Sequence, residues 1–576
     1  MNKKKVIQTL EAIAIYMEIK GENTFKVSAY RKAAKALESV PETLEEIEKV
    51  ESLDGIGKGT ASVIEELKQT GQSGLHDELA ASFPEGLLPL LKLPGLGGKK
   101  IGKLYQELGV TNLETLKQAC LDEKIRGMAG FGAKSEEKIL AAIDAFQTRP
   151  ERVGIAVAIK AADFIQGKLQ QMNGIIRYEL AGSLRRVEET VKDVDFIIST
   201  DNPELVKEQL LQLEGILQVV GAGDTKVSLE LSVDELIIGV DFRLVSDDEF
   251  ASALLHFTGS KDHNVKLRQL AKERGEQISE YGVLNRETGH TAVFKDERSF
   301  YYHFGLAYVP PEARVGKDEL VLISDKKDYP EDTSAQSDLH MHTVWSDGAH
   351  SIKEMAAGAE KRGYTHLAIT DHSQFLRVAN GLTVERVQEQ HKQIKEFNEQ
   401  SNVHIFTGIE MDILPDGTLD YSDDILKDID FVIASIHSSF SQSEETIMSR
   451  LKTALFNPHV DLVAHPTGRV IGRREGYAVN VPQLIEWAAE SGTALELNAS
   501  PERLDLSAHW VRLAADHGVP IAINTDAHHV DRLAYMRYGF GVARKAGIPT
   551  DCIINTWSLE RLKTYLSKDK RDRINR

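Results

Sequence analysis

GSLRRVEETVKDVDF, residues 182–196, ends on two aspartates, Asp193 and Asp195, that flank a single valine where an apolar run begins. In a strand, residues i and i+2 project from the same face, so these carboxylates lie close together and repel unless a cation sits between them. A divalent metal is the usual remedy. Taken alone, the DxD triplet also fits a polar turn entering a strand. Just upstream, Gly182 and Ser183 follow the strand-like IIRYELA, and a Gly-Ser turn lets backbone N–H groups and a hydroxyl approach a phosphate. Arg185 and Arg186 add guanidinium groups suited to phosphate oxygens. Phosphate donors followed by a metal dyad imply phosphoryl-transfer chemistry.

The chain has 576 residues, enough for three or more domains. Its two cysteines, Cys120 and Cys552, exclude a disulfide framework and a cysteine-based zinc module, which fits a reducing cytoplasm. The N-terminal MNKKKVIQTL lacks an apolar signal core, and no run approaches a membrane span. A net charge of −19 excludes a protein that coats nucleic acid through bulk charge alone. The first 150 residues are about neutral and carry lysine clusters, so any polyanion contact is local.

LDGIG (residues 53–57), LPGLG (93–97) and MAGFG (128–132) share an apolar-x-Gly-apolar-Gly pattern, each followed closely by a lysine and an amphipathic helical segment. Such a turn presents backbone N–H groups at a helix N-terminus, a position suited to a DNA phosphate. One GxG is an ordinary turn; three in a small helical region point to sequence-independent DNA contact. FKVSAYRKAAKAL, residues 25–37, reads as a basic amphipathic helix in the same region.

That helix, the first hairpin, GSLRR…DVD, VDFRL and HFTGSKDHN stand in the order seen in family X DNA polymerases, which the sequence resembles over nearly its whole length. The resemblance is to the bacterial members with a C-terminal polymerase-and-histidinol-phosphatase (PHP) domain. It implies a helical DNA-binding domain over residues 1–80, a fingers-like helical region over 81–150, and an α+β nucleotidyltransferase palm over 151–245. A thumb over 246–316, a linker over 317–336 and a PHP domain over 337–576 would follow. Asp241, in IIGVDFRLV, would be the third palm carboxylate, completing a two-magnesium catalytic site with Asp193 and Asp195. Gly182, Ser183, Arg186, Phe257, Gly259 and Asn264 would bind the incoming dNTP, with Asn264 at the minor-groove edge of the base. His256 stands where many relatives carry tyrosine. Lys26, Tyr30, Gly55, Gly57, Lys58, Gly95 and Gly97 would contact DNA. The lysine that animal relatives use for lyase chemistry aligns with Val63, which speaks against that activity here.

Beyond residue 336 the composition changes, and 14 of the 19 histidines lie there, among alternating apolar strands and amphipathic helices. DLHMHTVWSDG carries His340, His342 and Asp347; AITDHS carries Asp371 and His372; FTGIEMD carries Glu410. His437, His465, Asp526 and His528 close further strands. In a βα barrel the strand C-termini converge on one face, where active sites form. His340, His342, Asp347, His372, Glu410, His437, His465, Asp526 and His528 also match the metal ligands of the PHP family, whose fold is a distorted (βα)7 barrel. The imidazole–carboxylate mixture suits manganese, zinc or iron better than magnesium alone, with room for up to three ions. Arg469, Arg473 and Arg474 are candidates to grip DNA phosphate beside this site, or else an exposed charged loop.

The expected protein is therefore a monomeric, cytoplasmic gap-filling DNA polymerase of base excision repair. Its barrel is expected to add a metal-dependent 3′-to-5′ exonuclease, and abasic-site endonuclease activity as an extension. The alternatives are a barrel acting as a 3′-phosphatase or as a metal-stabilised scaffold, or a nucleotidyltransferase acting on tRNA or small molecules.

Overall fold

The computed structural model describes residues 3–39, 44, 47, 49–93, 96–148, 151–233 and 236–573, and it divides into two compact units, Met1–Pro150 and Glu151–Arg576. Within the first unit the three glycine turns are built alike. The N–H of Ile56, Leu96 and Phe131 donates to the carbonyl of Leu53, Leu93 and Met128 at 3.1, 3.2 and 3.0 Å. Each turn then opens a helix, Lys58–Thr70, Gly98–Leu108 and Ala133–Thr148. Gly55 and Gly130 adopt φ of +92° and +93°, a conformation that a Cβ makes costly, which explains the first glycine of the pattern. Gly95, the corresponding residue of the middle turn, lies outside the described residues.

The expected boundary at residue 80 is bridged. Ile19, on the first helix Lys3–Lys20, is buried among Leu87, Leu90, Ile101 and Leu104 of the following region. A Cβ on Gly102 would stand 2.4 Å from the Ile19 carbonyl oxygen, so the two helices approach as closely as glycine permits. The two regions thus share apolar contacts, with Ile15 and Ile19 in the second cluster and Phe83 and Leu88 against the first. Val63 is buried in the core of this unit.

In the second unit a five-stranded sheet runs in the order Arg177–Ala181, Asp193–Ser199, Leu236–Val245, Lys226–Val233, Ile216–Ala222. The middle pair, Asp193–Ser199 and Leu236–Val245, is parallel, and its neighbours are antiparallel. The helix Ile155–Leu169 packs on this sheet through Ala158, Ala161, Ile165 and Leu169.

The thumb region holds the helices Phe250–Thr258 and Lys261–Glu273, a three-stranded antiparallel sheet and the helix Glu297–His303. Residues 317–336, expected as a linker, are tied down. Val321 accepts a hydrogen bond from the Ala307 N–H at 2.9 Å. The buried Glu319 accepts from the N–H groups of Gly316 and Lys317, each at 2.7 Å, and meets His263 Nδ1 at 2.7 Å. The polarity of this segment reflects specific hydrogen bonds to the thumb.

The C-terminal part is a parallel sheet of seven strands in sequential order, Ser337–Asp338, His366–Ile369, His404–Asp412, Phe431–Ser435, Leu462–Val463, Ala494–Asn498 and Ile521–Asn524. The barrel is nearly closed. Between first and last strands a single bridge joins Met341 to Ala527, and Asp338 accepts from Thr525 in place of a ladder. The strands read as apolar runs because helices cover the outside and side chains fill the inside.

Candidate functional sites

The palm site is set by register. Asp195 is the Cα partner of Asp241 across the parallel pair, and Asp193 faces Gly239. With a two-residue period, Asp193, Asp195 and Asp241 project from one face. Burial first, and then Asp193 and Asp241, push the Asp195 carboxyl up to about 7. Asp193 is raised by burial and then by Asp241. Lys226 Nζ lies 2.6 Å from Asp241 Oδ2 and the Ser228 hydroxyl donates to Asp241 Oδ1 at 2.6 Å. Three carboxylates on one face, two of them raised by burial and by their neighbours and the third already paired with a lysine, form a donor set that fits divalent ions with oxygen preference.

Gly182 opens the short helix Gly182–Arg185 at φ +64°, directly after the strand that pairs with Asp195. A Cβ at this position would lie 2.0 Å from Asp195 Oδ2, so the glycine is required by the carboxylate as well as by the turn. Ser183 is half-buried in the same turn. Arg186 donates to the Thr258 carbonyl, while its Nε is buried without a hydrogen-bond partner. Gly259, at φ +72°, leaves room beside this guanidinium, since its Cβ would sit 3.3 Å from Arg186 Nη1. Phe257 is half-buried under the Arg243 guanidinium at 4.4 Å, and the His256 ring meets it edge-on at 4.9 Å. Asn264 Nδ2 donates to the His256 carbonyl at 2.7 Å and leaves Oδ1 buried and unpartnered.

Arg185, read from sequence as a second phosphate ligand, is committed elsewhere. It donates to Glu297 Oε1 and Oε2 at 3.0 and 2.8 Å, and Arg314 donates to Glu297 Oε1 at 2.8 Å. Burial opposes the charge of Glu297, yet Arg314 and Arg185 hold its carboxyl down at about 2. This palm residue therefore locks the thumb.

In the helical unit, Lys26 and Lys58 are exposed, and Lys26 pairs with Glu22 at 3.3 Å. Gly57 and Gly97 are the N-cap residues of their helices, with open space where a Cβ would go. Tyr30 is buried in the core of this unit, which leaves little of its ring for DNA.

The second site lies at the C-terminal ends of the barrel strands. His342, Asp347, His372 and His528 form one group whose ligand atoms could share an ion. His340, His342 and Asp526 form a second, and His372, Glu410 and His437 a third. His465 Nε2 lies 3.0 Å from Glu410 Oε1, so all nine candidates meet around Glu410, Asp347 and Asp526. His340 Nε2, both nitrogens of His342, His372 Nδ1, Glu410 Oε2 and His465 Nδ1 are buried and make no hydrogen bond. Buried polar atoms are seldom left so, and this many orphaned lone pairs facing one another fit metal coordination. Burial opposes the charge of Glu410, yet His437, His340 and His372 hold its carboxyl well below the ordinary range. Burial, then His528 and His372, push His342 down to about 3, which keeps that imidazole neutral.

Several supporting groups were not singled out from the sequence. Glu496 is fully buried, accepts from His340 Nδ1 at 2.7 Å and from the His465 N–H at 2.7 Å, and so fixes which His340 nitrogen faces the cluster. Asp412 stands 3.3 Å from His437 Nδ1 in the same way. A charged residue inside the apolar runs ALELN and GIEMD was the available signal. Asp371, named from the sequence beside His372, turns instead to Thr343, Ser346 and Gln390, holding the loop that carries Asp347.

Of the arginines proposed to grip DNA, Arg469 is committed to the palm: its Nη1 and Nη2 meet Glu189 Oε2 and Oε1 at 3.1 and 2.8 Å. Arg473 and Arg474 are both exposed, and Arg474 donates to the Gly468 carbonyl at 2.9 Å and lies over the Phe440 ring.

Geometry thus defines a carboxylate palm of the nucleotidyltransferase kind joined to a barrel whose histidine and carboxylate groups could hold metal. Residues 1–73 match a helix-hairpin-helix domain, residues 253–315 the DNA polymerase beta thumb, and residues 338–500 the PHP domain. The chain is 55% identical over 570 residues, 99% of its own length and 100% of the relative's, to the DNA polymerase/3′-5′ exonuclease PolX of Bacillus subtilis (strain 168). It is also similar to shorter proteins, a probable phosphatase of Thermoanaerobacter sp. (strain X514) at 30% identity and one of Syntrophotalea carbinolica at 28%. These matches cover 41% and 38% of the chain and 95% and 92% of the relatives. The chain belongs to the family X DNA polymerases that carry a helix-hairpin-helix region and a PHP domain. Among the described residues no helix is long and apolar enough to cross a membrane.

Proposed function

We propose that the protein is a DNA polymerase that fills short gaps in DNA repair and carries a 3′-to-5′ exonuclease in its barrel. The observation that carries this reading is the register pairing of Asp195 with Asp241 beneath the Gly182 turn, on the same chain as a second, histidine-rich metal cluster. Asp193, Asp195 and Asp241 would hold two magnesium ions, which when bound supply Lewis-acid activation and charge neutralisation for nucleotidyl transfer. The Gly182-Ser183 turn and Arg186 orient the triphosphate, Phe257 and Gly259 face the sugar, and Asn264 offers its unpartnered oxygen side to the base edge. The helix-capping turns at Gly57 and Gly97 present N–H groups to backbone phosphates, which gives binding without base preference.

In the barrel, the nine-residue cluster would hold up to three manganese or zinc ions, which when bound activate water for phosphodiester hydrolysis. Glu496 and Asp412 orient His340 and His437, and burial keeps His342 neutral. Abasic-site cleavage would use the same centre. The phosphatase names of the shorter relatives favour a second reading of the barrel, as a phosphatase acting on 3′ ends.

A labelled one-nucleotide gap, incubated with and without dNTPs in magnesium and then in manganese, tests these readings. Extension with dNTPs and stepwise shortening without them is expected; removal of a 3′-phosphate with no shortening selects the phosphatase instead.

A further inference from the structure

Arg503 follows the sixth barrel strand, Ala494–Asn498, and its guanidinium stands at the edge of the metal cluster, with Nε 3.7 Å from Asp526 Oδ2. That is the one charged partner its side chain meets among the described residues, and its Nη1 is buried without any hydrogen bond. A guanidinium carries five N–H donors, and burying one unpaired costs free energy that a purely structural arginine avoids. The carboxylate oxygen it approaches is already served by Asn498 Nδ2 at 3.2 Å, while Asp526 Oδ1 faces His342 at 3.2 Å. Its closeness to the cluster is felt by His465, which burial and then Arg503 hold below the ordinary imidazole value.

The loop is fixed so that the side chain keeps this aim. Arg469 Nε donates to the Arg503 carbonyl at 3.0 Å, the Ile471 N–H donates to the Glu502 carbonyl at 2.7 Å, and the Arg503 N–H donates to Ser500 at 2.8 Å. Arg469 is itself anchored by Glu189 of the palm. The cluster carries the carboxylates of Asp347, Glu410 and Asp526, with Glu496 and Asp412 behind His340 and His437, so a guanidinium at the rim stands beside groups suited to cations and is placed to meet an anionic substrate held by them.

We propose that Arg503 is a substrate-binding residue of the barrel site, gripping the phosphate of the scissile phosphodiester through the guanidinium of a side chain that keeps 22% of its surface exposed. This rests on the nuclease reading above. A guanidinium fork suits phosphate oxygens and holds the group toward the ions, a role that a lysine fills only as a point charge.

The test uses the full-length chain in manganese with a labelled single strand, comparing wild type with Arg503→Ala and Arg503→Lys. Metal content after desalting is measured by mass spectrometry, and binding of inorganic phosphate to the metal-loaded protein by calorimetry. Degradation and phosphate affinity should both fall by about 10- to 100-fold in Arg503→Ala. Arg503→Lys should recover part of each, and metal content and primer extension should match wild type. Loss of metal in parallel with activity would overturn the proposal, because Arg503 would then merely support Asp526. Unchanged phosphate affinity in Arg503→Ala overturns it equally. A wild type that binds phosphate through Arg503 yet never degrades DNA would sink the nuclease reading and leave the phosphate site standing.

Discussion

Asp195 and Asp241 are direct Cα partners on adjacent parallel strands, although 46 positions (241 − 195) separate them in the chain. Their carboxylates share one face with Asp193, and burial, followed by the charges of Asp193 and Asp241, raises Asp195 to about 7, a cost that bound cations relieve. Replacing Asp193 and Asp195 together with alanine should lower primer extension by about a thousandfold or more while leaving degradation of a single strand intact. Extension close to the wild-type rate would refute the palm assignment.

Gly182 tests the same site through the backbone. Its φ of +64° and the 2.0 Å approach of a would-be Cβ to Asp195 Oδ2 leave no room for alanine. Gly182→Ala should displace the carboxylate, so extension falls and the magnesium concentration needed for half-maximal rate rises. A variant with wild-type magnesium dependence would show that the turn yields without disturbing Asp195.

His340 and His342 belong to a cluster in the barrel, remote in sequence from the palm carboxylates and served by different donors. The double alanine variant should lose degradation in manganese while extension in magnesium stays within about twofold, as for independent sites. Circular dichroism checks that the barrel still folds. A folded double variant that degrades DNA places the nuclease elsewhere.

Glu297 links Arg185 of the palm to Arg314 of the thumb, and the two guanidinium groups hold its carboxyl at about 2 despite burial. Its folded value lies below the unfolded reference of about 4.3, so the stability it contributes is complete above that reference and is lost as pH falls toward about 2. Glu297→Gln should destabilise the second unit by about 3 kcal/mol near neutral pH, where the buried Arg314 and the half-buried Arg185 lose their counter-charge. In urea titrations the gap between wild type and variant should narrow from pH 5 downward; a constant gap would mean that the ion pair contributes no pH-dependent stability.

The hairpin turns can be tested without unfolding them. Gly57 has open space at its Cβ position, whereas Gly55 sits at φ +92°. Gly57→Val should therefore keep the helical unit folded and weaken binding to a gapped duplex by about fivefold, the effect of one lost phosphate contact. Nucleotide choice on saturating primer-template should not change. Equal affinity in both proteins would return Gly57 to a simple helix cap.

Features with a short period were legible in the sequence. The i, i+2 spacing of Asp193 and Asp195, the repeated GxG turns and the histidines at the ends of apolar strands each depend on a few neighbouring residues, so backbone geometry alone places them. Only the tertiary structure decided which distant charges meet. It turned Arg185 from a phosphate ligand into the partner of Glu297, and Arg469 from a DNA contact into a strut to Glu189. It also brought Glu496 beneath His340 and left Arg503 with an unpaired edge beside Asp526. A buried charge must find whatever counter-charge the fold carries within a few ångströms, and strand order and domain packing set that choice.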